Sequence, residues 1–536
     1  MSFKAAGLKV SPGNFLAGLS FLSPIILSVI AGGLLAFSFL DANLFFLTWF
    51  AFIPLLLAIE KSTPKSSFFY GLVFGLTFYP CAAYWVTDFL VLSKGYDLTL
   101  SFFWSSIFWL YCSLLPAFVC CFFTALKKRS SISEFVLFPV IVVTFYSSFP
   151  MLFTVQLGES QSRFLLALQA IELVGVYGLD VLIALSNMLV YRLIFPKQKR
   201  QIKSYVMSAL LIFSWFSYGV YAQNLWQKNI ETWPTLKVGL VQPNEEPMLD
   251  KLPIYKGYSR AFPPEMDMTG RLAESGAELV VWPEARYKSY FDQEHVRSAY
   301  QNEVSSLDVS VLFQDMEKVN YSDGSSVRRN VAALLDNRGE LSGKYQKIKL
   351  VAFGEYVPLV SAFPMFKNLV EGFFGKFLNE VEPGSEHKSF TVSELNIVPL
   401  ICYETMFPEF VAQAAKVTQS PDMLIGLSSN GWFGSTMQPY QHVYASVLRA
   451  VENRMPFVHV VNNGPSIVVS PTGEVIFETD YHQAGGYLVD VPYRARENIK
   501  EGGHYSLYQR YPYALMYSIY VIMFLLCLSY FRARDK

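Results

Sequence analysis

The sequence has few charged residues. Lys, Arg, Asp and Glu make up only 16% of its 536 residues, whereas 52% are hydrophobic and 16% are aromatic. Charged residues account for about a quarter of an ordinary soluble protein, so this chain is too apolar to be one. Its formal net charge is zero, which argues against nucleic acid as the main partner. The length predicts at least two domains.

Cysteine and histidine are also scarce, with six of each. Five cysteines lie in apolar segments, and only Cys402 lies in the part of the sequence that is typical of a globular domain. Neither residue type shows the spacing of a metal site, so we predict no metal and no organic cofactor. We interpret the histidines as structural and place His442 near a site. If the globular part faces an oxidising compartment, a solitary thiol there favours a chemical role over a packing role.

Apolar runs long enough to cross a bilayer recur along the sequence. The first run has no cleavage site before a polar mature domain, so we predict a retained span rather than a cleaved signal peptide. We predict about eight transmembrane helices in two regions, residues 1–223 and 509–536, which flank a globular domain at residues 224–508. The predicted spans are residues 14–40, 43–59, 67–91, 98–126, 134–155, 165–195, 204–222 and 512–531.

The positive charges of the loops predict an orientation for these spans. Cytoplasmic loops carry an excess of Lys and Arg, and here every segment that follows an even-numbered span is basic. The other loops carry at most one basic residue, Lys94 or Arg163. We therefore predict cytoplasmic termini and a globular domain outside the cytoplasm. The basic residues are Lys61, Lys65, Lys127, Lys128, Arg129, Lys197, Lys199, Arg200, Lys203, Arg532, Arg534 and Lys536.

Some polar and small residues in the apolar part have two interpretations. The loop at residues 158–162 is predicted to be solvated, with a functional role as the alternative. Gly175 and Gly178 share one side of a helix and could allow close packing, or they are ordinary membrane glycines. We assign the acids to interfaces or helix ends rather than to an ion path, because no chain of buried acids and bases is present. These acids are Asp88, Glu172 and Asp180.

The middle of the sequence alternates strand and helix signals. Most strand candidates are apolar on both faces, which is typical of a sheet covered on both sides. A turn at residues 336–340 predicts a hairpin. A helical stretch runs to about Gly276. The predicted strands are residues 236–242, 278–282, 309–313, 331–335, 344–349, a strand ending at Cys402, and residues 423–427, 456–461, 466–469 and 475–477.

The best candidate nucleophile lies where an apolar run, Val398–Ile401, ends in Cys402, Tyr403 and Glu404. Residues 405–412 can then begin a helix. A strand that delivers a thiol to a strand-to-helix turn presents it for reaction, and the N–H groups at the helix start can stabilise a thiolate and an oxyanion. The alternative is a buried structural cysteine, the commoner fate of a single cysteine.

Three more residues have side chains that suit such a nucleophile. Glu284 follows a predicted strand and could be a partly desolvated general base, or an acid at a helix N-terminus. Lys347 could stabilise a thiolate or an oxyanion, or be a solvated lysine. Glu355, in a Phe-Gly-Glu sequence, could hold Lys347 by an ion pair or be a surface acid.

The order of these residues resembles the Glu-Lys-Cys set of the nitrilase, or carbon–nitrogen hydrolase, superfamily. Seven apolar spans before such a domain and one after it resemble the apolipoprotein N-acyltransferase family within that superfamily. The other motifs that carry the resemblance are Trp432-Phe433-Gly434, Gln441-His442, Arg449-Ala450-Val451-Glu452-Asn453-Arg454 and Asn462-Asn463-Gly464.

The resemblance implies a fold and a set of roles. The fold would be an α/β nitrilase-like αββα sandwich carried by an α-helical membrane bundle. Cys402 would be the nucleophile, Glu284 the general base and Lys347 the lysine that stabilises the oxyanion. The supporting residues would be Glu355, Tyr403 and Glu404.

The implied reaction is a ping-pong acyl transfer. Cys402 would take a fatty acyl chain from a phospholipid as a thioester. The α-amine of the N-terminal diacylglyceryl-cysteine of an apolipoprotein would then receive it, in a membrane-facing pocket that keeps water out. The implied location is the bacterial inner membrane, with the catalytic domain on the periplasmic side.

Two apolar stretches could contact lipid. Residues 359–378 could form an arm that dips into the membrane, or they could pack inside the domain. Trp432 and Phe433 could line the entrance for the acyl chain or belong to the core. The sequence also departs from the usual pattern of the family, which more often has Tyr, Pro, Asn, Asp and Arg, respectively, at Glu159, Ala352, Ser429, Asn430 and His459.

Other functions fit parts of the sequence. A membrane-tethered amidase of the same chemistry would pass the acyl group to water, and an active site that opens onto lipid would distinguish the transferase from it. A transporter with an outer regulatory domain is disfavoured by the few charges within the spans. A protein that only binds lipoproteins is disfavoured by the presence of all three reactive residue types.

Overall fold

The computed structural model describes residues 22–129, 132–197, 202–246, 255–285, 287–352, 354–356, 381–417, 421–494 and 506–532. A bundle of helices comes first, then a two-sheet sandwich, then a last long helix. The bundle contains α1 (Pro24–Leu40), α2 (Phe52–Ile59), α3 (Pro64–Ala82), α4 (Trp85–Lys94), α5 (Leu98–Arg129), α6 (Glu134–Ser148), α7 (Leu165–Leu168), α8 (Ile171–Val174), α9 (Val176–Ile194) and α10 (Ile202–Ile230).

Each predicted span overlaps a helical segment. Among the described residues, five segments are long and apolar enough to cross a membrane, or six if α3 and α4, which are bent by 54° at their junction, form one span. Helices α1 and α6 are shorter, so the count of eight stays a prediction. The five are Ala42–Ile59, Leu98–Arg129, Val176–Ile194, Ile202–Ile230 and Ala514–Phe531.

The bend between α3 and α4 has a local cause. Pro80 lies in the last turn of α3, where it removes a backbone N–H and pushes the helix to end. Two side chains donate hydrogen bonds to the carbonyl groups at the break. The indole of Trp109 donates to Ala83 O at 3.0 Å, and the amide of Gln441 donates to Ala82 O at 3.1 Å. The broken end of α3 is thereby attached to the sandwich, which supplies Gln441.

The sandwich contains twelve strands among its described residues, in two mixed sheets of six. The sheet orders are β12-β1-β2-β3-β4-β5 and β11-β10-β9-β8-β7-β6. Strands β1 to β3 are parallel to one another, as are β7 to β9, and the flanking pairs are antiparallel. The elements are β1 (Thr235–Gln242), α11 (Pro264–Glu274), β2 (Leu279–Val281), α12 (Glu294–Leu307), β3 (Ser310–Asn320), β4 (Ser326–Leu335), β5 (Leu341–Gln346), β6 (Phe390–Val392), β7 (Leu395–Ile401), α13 (Pro408–Ala414), β8 (Met423–Ser428), α14 (Gln438–Asn453), β9 (Phe457–Val461), β10 (Ile467–Val469), β11 (Val475–Glu478), β12 (Gly485–Pro492), α15 (Leu507–Arg510) and α16 (Ala514–Arg532).

Side chains of the strands alternate between two buried faces. In β1, Val238 and Leu240 pack between the sheets, whereas Val241 packs against α11 and α12 on the outside. In β7, Ile397 packs between the sheets and Val398 packs towards α13 and α14. Because residues alternate along a strand, apolar residues on both faces make four layers, αββα. The predicted cover on both sides of the sheets is confirmed.

The bundle and the sandwich share one hydrophobic core, which includes Ile171 of α8 and Val447 of α14. Arg454, which follows α14, crosses the joint. Its Nε lies 2.7 Å from Glu172 Oε2, and its Nη groups donate to Gln169 Oε1 and Gln169 O at 2.9 Å. An ion pair buried this deeply must keep both partners, since a lone buried charge is costly. The sandwich is therefore fixed against the bundle.

Candidate active site

Five strands end at one cavity of about 330 Å³. Strands β2, β5, β7, β8 and β9 are followed within three residues by side chains that line it: Glu284, Lys347, Cys402, Ser429 and Asn462. The remaining wall is largely apolar and comes from the bundle, with Phe39, Phe78, Trp85, Phe89 and Phe108. The cavity therefore lies between the sandwich and the predicted membrane helices.

Cys402 lies at the junction of β7 and a turn of 3₁₀ helix, Cys402–Met406. The predicted helix begins later, at Pro408. The backbone φ of Cys402 is 51°, a left-handed conformation that costs about 1–3 kcal/mol for a residue with a Cβ atom. Burial, and next the negative charge of Glu284, raise the pKa of the Cys402 thiol. The resting thiol is therefore protonated at neutral pH.

Lys347 is buried, with 1% of its surface exposed. Its Nζ lies 3.0 Å from Glu355 Oε1 and 3.6 Å from Glu284 Oε1. Burial acts to lower the pKa of Lys347, but the charges of Glu284 and Glu355 outweigh it and raise the pKa. Lys347 therefore keeps its charge. The ion pair between Glu355 and Lys347, one of the two sequence interpretations, is confirmed.

Asn330 of β4 joins the two carboxylates, and sequence analysis missed it. Its Nδ2 donates to Glu284 Oε1 at 2.8 Å and to Glu355 Oε1 at 3.2 Å. Gln314 Nε2 in turn donates to Asn330 Oδ1 at 2.9 Å. This relay fixes the distance between the carboxylates. The only signal in the sequence is a polar residue directly before the apolar end of a strand.

The two residues after Cys402 act on different sides of the chain. Tyr403 lines the cavity, and its hydroxyl donates to Leu152 O in the bundle. Glu404 points away from the cavity and is fully buried. Its carboxylate accepts hydrogen bonds of 2.7–3.1 Å from Tyr345 Oη and from the backbone N–H groups of Ile348, Lys349 and Ile401. Burial raises the pKa of Glu404 to about 7 in spite of these donors.

Glu404 therefore ties the segment that carries Lys347 to the segment that carries Cys402.

Trp432 and Phe433 both line the cavity. The Phe433 ring stacks on Phe89 and meets Trp85 edge-on, with centroids 5.3 Å apart in both cases. Phe433 thus belongs to a small aromatic cluster that forms part of the cavity wall.

The two buried histidines in this region are neutral. His442 Nε2 lies 3.0 Å from Thr405 Oγ1 and 3.3 Å from Cys402 O, and burial lowers its pKa to about 4. The predicted place of His442 near the site is confirmed. Burial also lowers the pKa of His459, whose ring lies between Ser428 Oγ and Ser446 Oγ at 2.7 and 2.9 Å.

The prediction of a solvated loop at residues 158–162 is wrong. Residues Leu157–Gln161 form a 3₁₀ helix whose Ser160 and Gln161 are buried. Two side chains of the bundle bind to it: the Trp49 indole donates to Gln161 Oε1 at 2.8 Å, and the Thr48 and Ser160 hydroxyls are hydrogen-bonded at 2.9 Å. Ser160 and Gln161 pair with each other and with the bundle, so these polar side chains do not require solvent. Glu159 and Ser160 line the cavity.

The predicted lipid arm at residues 359–378 lies outside the described residues. Ala352, one of the residues that depart from the usual pattern of the family, lies in an isolated bridge with Tyr356.

Within the part of the chain that the structure describes, no three His, Cys, Asp or Glu side chains are grouped to hold a metal ion. The chemistry available here is that of a thiol, two carboxylates and an ammonium group, which suits acyl transfer through a covalent intermediate.

Comparison with known proteins matches both halves of the chain. The profile of the apolipoprotein N-acyltransferase N-terminal domain matches residues 31–189, and that of the carbon-nitrogen hydrolase family matches residues 225–497. The apolipoprotein N-acyltransferase of Geobacter metallireducens is 30% identical over 460 residues, which are 84% of this chain and 86% of that protein. This chain belongs to the apolipoprotein N-acyltransferase family.

A second apolipoprotein N-acyltransferase, from Chlorobaculum tepidum, is 26% identical over 506 residues, covering 88% of this chain and 91% of that protein. A solved amidase from Nesterenkonia sp. is 19% identical, with a TM-score of 0.35, and covers 48% of this chain and 90% of that chain. In this apolipoprotein N-acyltransferase family member, the first profile covers the bundle from α1 into α9. The second covers the sandwich, including β1 and β12.

Proposed function

We propose that this protein transfers a fatty acyl chain from a phospholipid to the α-amine of the N-terminal diacylglyceryl-cysteine of apolipoproteins, through a thioester on Cys402. Its relatives carry the name of that activity. The observation that supports the proposal best is the cavity. One space contains the thiol, Glu284 and Lys347, and helices of an apolar bundle close its other side.

The first step begins from a protonated thiol. Glu284 takes the proton as Cys402 Sγ attacks the carbonyl carbon of the phospholipid ester, which forms the C–S bond. Negative charge develops on the carbonyl oxygen, and the Lys347 ammonium stabilises it. The C–O bond then breaks. Glu284 returns the proton to the leaving oxygen, and the lysophospholipid departs.

In the second step, Glu284 passes a proton from the acceptor amine to the sulfur of Cys402. The free α-amine of the acceptor attacks the thioester carbonyl, Glu284 removes the proton of that amine, and the C–N bond forms. The C–S bond breaks, and Cys402 leaves as a thiol after the proton returns to its sulfur. An amide is more stable than a thioester, so the transfer runs forward. Asn330 holds Glu284 in place for both steps.

Water would divert the thioester to hydrolysis. The apolar side chains of the bundle, among them Phe78, Phe89 and Phe108, form the wall opposite the reactive groups. Such a wall favours an acyl chain and disfavours ordered water. We propose that this wall holds the acyl chain. We also propose that the protein spans a bacterial inner membrane and that the sandwich lies on the periplasmic side of that membrane.

The test is the intact mass of the detergent-purified protein after incubation with a phospholipid of one defined acyl composition. We expect one acyl increment that hydroxylamine removes. Cys402→Ser should show no increment, whereas the control Cys527→Ser in α16 should behave like the wild type. If folded wild-type protein forms no adduct with any phospholipid, the proposal is wrong.

Addition of a diacylglyceryl-cysteine peptide separates transfer from hydrolysis. We expect the acyl increment to leave the protein and to appear on the peptide as an amide. A membrane-tethered amidase, the alternative, would lose the increment to water at the same rate with or without the peptide. That result would replace the transferase with the hydrolase.

A further inference from the structure

A buried histidine contacts the backbone of the turn that carries the thiol. His442 Nε2 lies 3.3 Å from Cys402 O and 3.0 Å from Thr405 Oγ1, and Thr405 Oγ1 donates to the same carbonyl oxygen at 3.0 Å. His442 is 4% exposed, and Thr405 and Asn430 are fully buried. Two side chains that take no part in the proposed reaction therefore meet at the carbonyl group of Cys402.

The other ring nitrogen of His442 indicates which nitrogen carries the proton. Burial lowers the pKa of His442 to about 4, so at neutral pH the ring has one proton. His442 Nδ1 lies 2.9 Å from the side-chain oxygen of Asn430, whose Nδ2 has no partner among the described residues. If Nδ1 carried the proton, Nε2 would direct a lone pair at Cys402 O, and the Asn430 N–H groups would stay unpaired.

The opposite arrangement satisfies more of these groups. When the Asn430 amide is turned over, Nδ2 donates to His442 Nδ1, and the ring proton lies on Nε2, where it faces Cys402 O. The amide oxygen of Asn430 then takes the unpaired place, which buried carbonyl groups tolerate more often than buried N–H groups. The geometry therefore favours an N–H donor on Nε2.

Cys402 needs a support of this kind because its backbone φ is 51°. A residue with a Cβ atom keeps such a left-handed conformation only where its surroundings hold it. On the N-terminal side of the turn, Ile401 N donates to Glu404 Oε2 at 2.8 Å. On the C-terminal side, the carbonyl group of Cys402 has the contacts with Thr405 and His442. Loss of these contacts would let the turn relax and displace Sγ.

Helix α14 carries His442 and is fixed near its start. The adjacent Gln441 donates to Phe39 O and Ala82 O, both at 3.1 Å, and accepts from Trp85 Nε1 at 3.1 Å. These three partners belong to the bundle, whose helices close the other side of the cavity. The position of His442 is therefore set relative to the wall that we propose for the acyl chain.

We propose that His442 and Asn430 are positioning residues that hold the turn of Cys402 in its reactive conformation. Asn430 Nδ2 donates to His442 Nδ1, and His442 Nε2 donates to Cys402 O. This pair neither takes nor gives a proton during the reaction. It sets the direction in which Sγ meets the ester carbonyl. The inference rests on the proposed function, since that direction matters only if Cys402 forms the thioester.

The experiment compares two substitutions of similar size in the full-length protein. His442→Gln keeps a terminal N–H donor, whereas His442→Met removes it. Thioester formation is followed by intact mass in single turnovers over a range of phospholipid concentrations. His459→Met is the matched control, because the His459 ring is fully buried and lies 5.1 Å from that of His442. Its two nitrogens lie beside the hydroxyl groups of Ser428 and Ser446.

His442→Met should slow thioester formation at saturating phospholipid by about 10- to 100-fold, because a small misplacement of a reacting atom costs rate of this order. The phospholipid concentration that gives half of the maximal rate should stay the same. His442→Gln should recover most of the lost rate. His459→Met should lower the melting temperature in detergent as His442→Met does, but its folded protein should react at the rate of the wild type.

Asn430→Asp tests the position of the ring proton. A carboxylate at this position accepts the proton of Nδ1, so Nε2 carries a proton only while the ring is an imidazolium. The rate of thioester formation, divided by that of the wild type at the same pH, should therefore fall as the pH rises through the pKa of this imidazolium. The measurement runs from about pH 5 to about pH 9.

Three results would overturn the positioning role. Equal rates for His442→Met and the wild type would show that the contact with Cys402 O does not hold the turn. Equal losses in His442→Met, His442→Gln and His459→Met would mean general damage to the packing. A relative rate of Asn430→Asp that is constant over the pH range would contradict a proton on Nε2.

Two further outcomes are kept apart from these. If His442→Met fails to fold, the pH dependence of Asn430→Asp decides alone. A wild-type protein that forms no thioester would overturn the proposed function itself, whereas a wild type that forms it at the rate of His442→Met overturns only the positioning role.

Discussion

At the scale of single residues, the state of Cys402 is the most consequential feature of the site. Its thiol lies beside a carboxylate and a charged lysine, and its pKa is raised. A thiol with a raised pKa stays protonated below that pKa and becomes a thiolate only as the pH rises through it. In the proposed reaction, attack by Cys402 therefore depends on a base at the moment of reaction rather than on a standing thiolate.

This state predicts a slow reaction of Cys402 with iodoacetamide at pH 7. The rate should increase steadily up to pH 9 without a plateau, because the thiolate fraction increases over that range. Alkylation is measured at the peptide that contains Cys402, with free cysteine in the same solution as the reference. A rate at pH 7 above that of free cysteine would contradict a raised pKa.

Asn330 gives a second prediction at this scale. Asn330→Asp would place a third carboxyl group beside Glu284 and Glu355, with Lys347 as their shared cation. Repulsion would draw Lys347 from Cys402 or force one carboxyl group to take up a proton. We expect thioester formation to slow by about 100-fold or more. Asn229→Asp, which adds the same charge at an exposed site on α10, should leave the rate unchanged.

Sequence reasoning could select Glu284 and Cys402 because each follows an apolar run, whereas Lys347, inside a predicted strand, was selected by the Glu-Lys-Cys order that resembles the nitrilase superfamily. It could not select Asn330. The importance of Asn330 comes from its hydrogen bonds to Glu284 and Glu355, which local sequence does not reveal. The departure at Glu159 was visible, but the burial of its loop was not, because that burial depends on pairing with Thr48 and Trp49.

At the scale of elements, the start of α9 is closely packed against the segment that follows the sandwich. Gly175 has a φ of 73°, and a Cβ atom there would overlap the ring of Tyr508. Close packing is present at Gly175, but this glycine lies between α8 and α9, so the prediction that it shares one side of a helix with Gly178 is wrong. The contact joins a helix of the bundle to α15, which follows the sandwich in the chain.

Gly175→Ala should therefore destabilise the protein through two effects, a strained backbone and a displaced ring. The expected loss is about 2–4 kcal/mol, seen as a lower melting temperature in detergent. Gly95→Ala is the matched control, because Gly95 has a similar φ of 65° but open space around its Cα. It should show the backbone strain alone. Equal losses in both variants would mean that the Tyr508 contact contributes nothing.

The elements themselves divide into those that the sequence predicts and those that it does not. All ten predicted strands are present: nine are apolar runs between turn residues, and the one at residues 344–349 was predicted from the hairpin turn at residues 336–340. Strands β6 and β12 were missed. β6 has three residues, and β12 begins with Gly485 and Gly486 and alternates exposed with buried residues. Their strand form comes from pairing with β7 and β1 rather than from local preference.

At the scale of the whole molecule, the order of bundle, sandwich and final helix requires the sandwich to lie on one side of the membrane. The basic loops predict that this is the outer side. The predicted boundary between residues 223 and 224 falls within α10, which extends to Ile230. This helix therefore continues from the bundle towards β1.

The orientation is tested by labelling intact spheroplasts with a maleimide that cannot cross the membrane, in a background without other reactive cysteines. Lys237→Cys, at an exposed position of β1, should be labelled. Lys128→Cys, at an exposed position near the end of α5, should be labelled only after the membrane is opened. The reverse pattern would place the sandwich in the cytoplasm.

The packing of Tyr508 into the space beside Gly175 also sets an order for biosynthesis. Bundle and sandwich, with the Arg454–Glu172 pair between them, are both translated before residues 506–509, which add a further attachment. Ser506 Oγ donates to Glu452 O, and Gln509 Nε2 donates to Ala415 O at 3.1 Å, so both carbonyl groups stay uncapped on the nascent chain until this segment emerges from the ribosome. A chain released before residue 506 would hold Glu284, Lys347, Cys402 and the Arg454–Glu172 pair, but it would lack the packing of Tyr508 beside Gly175.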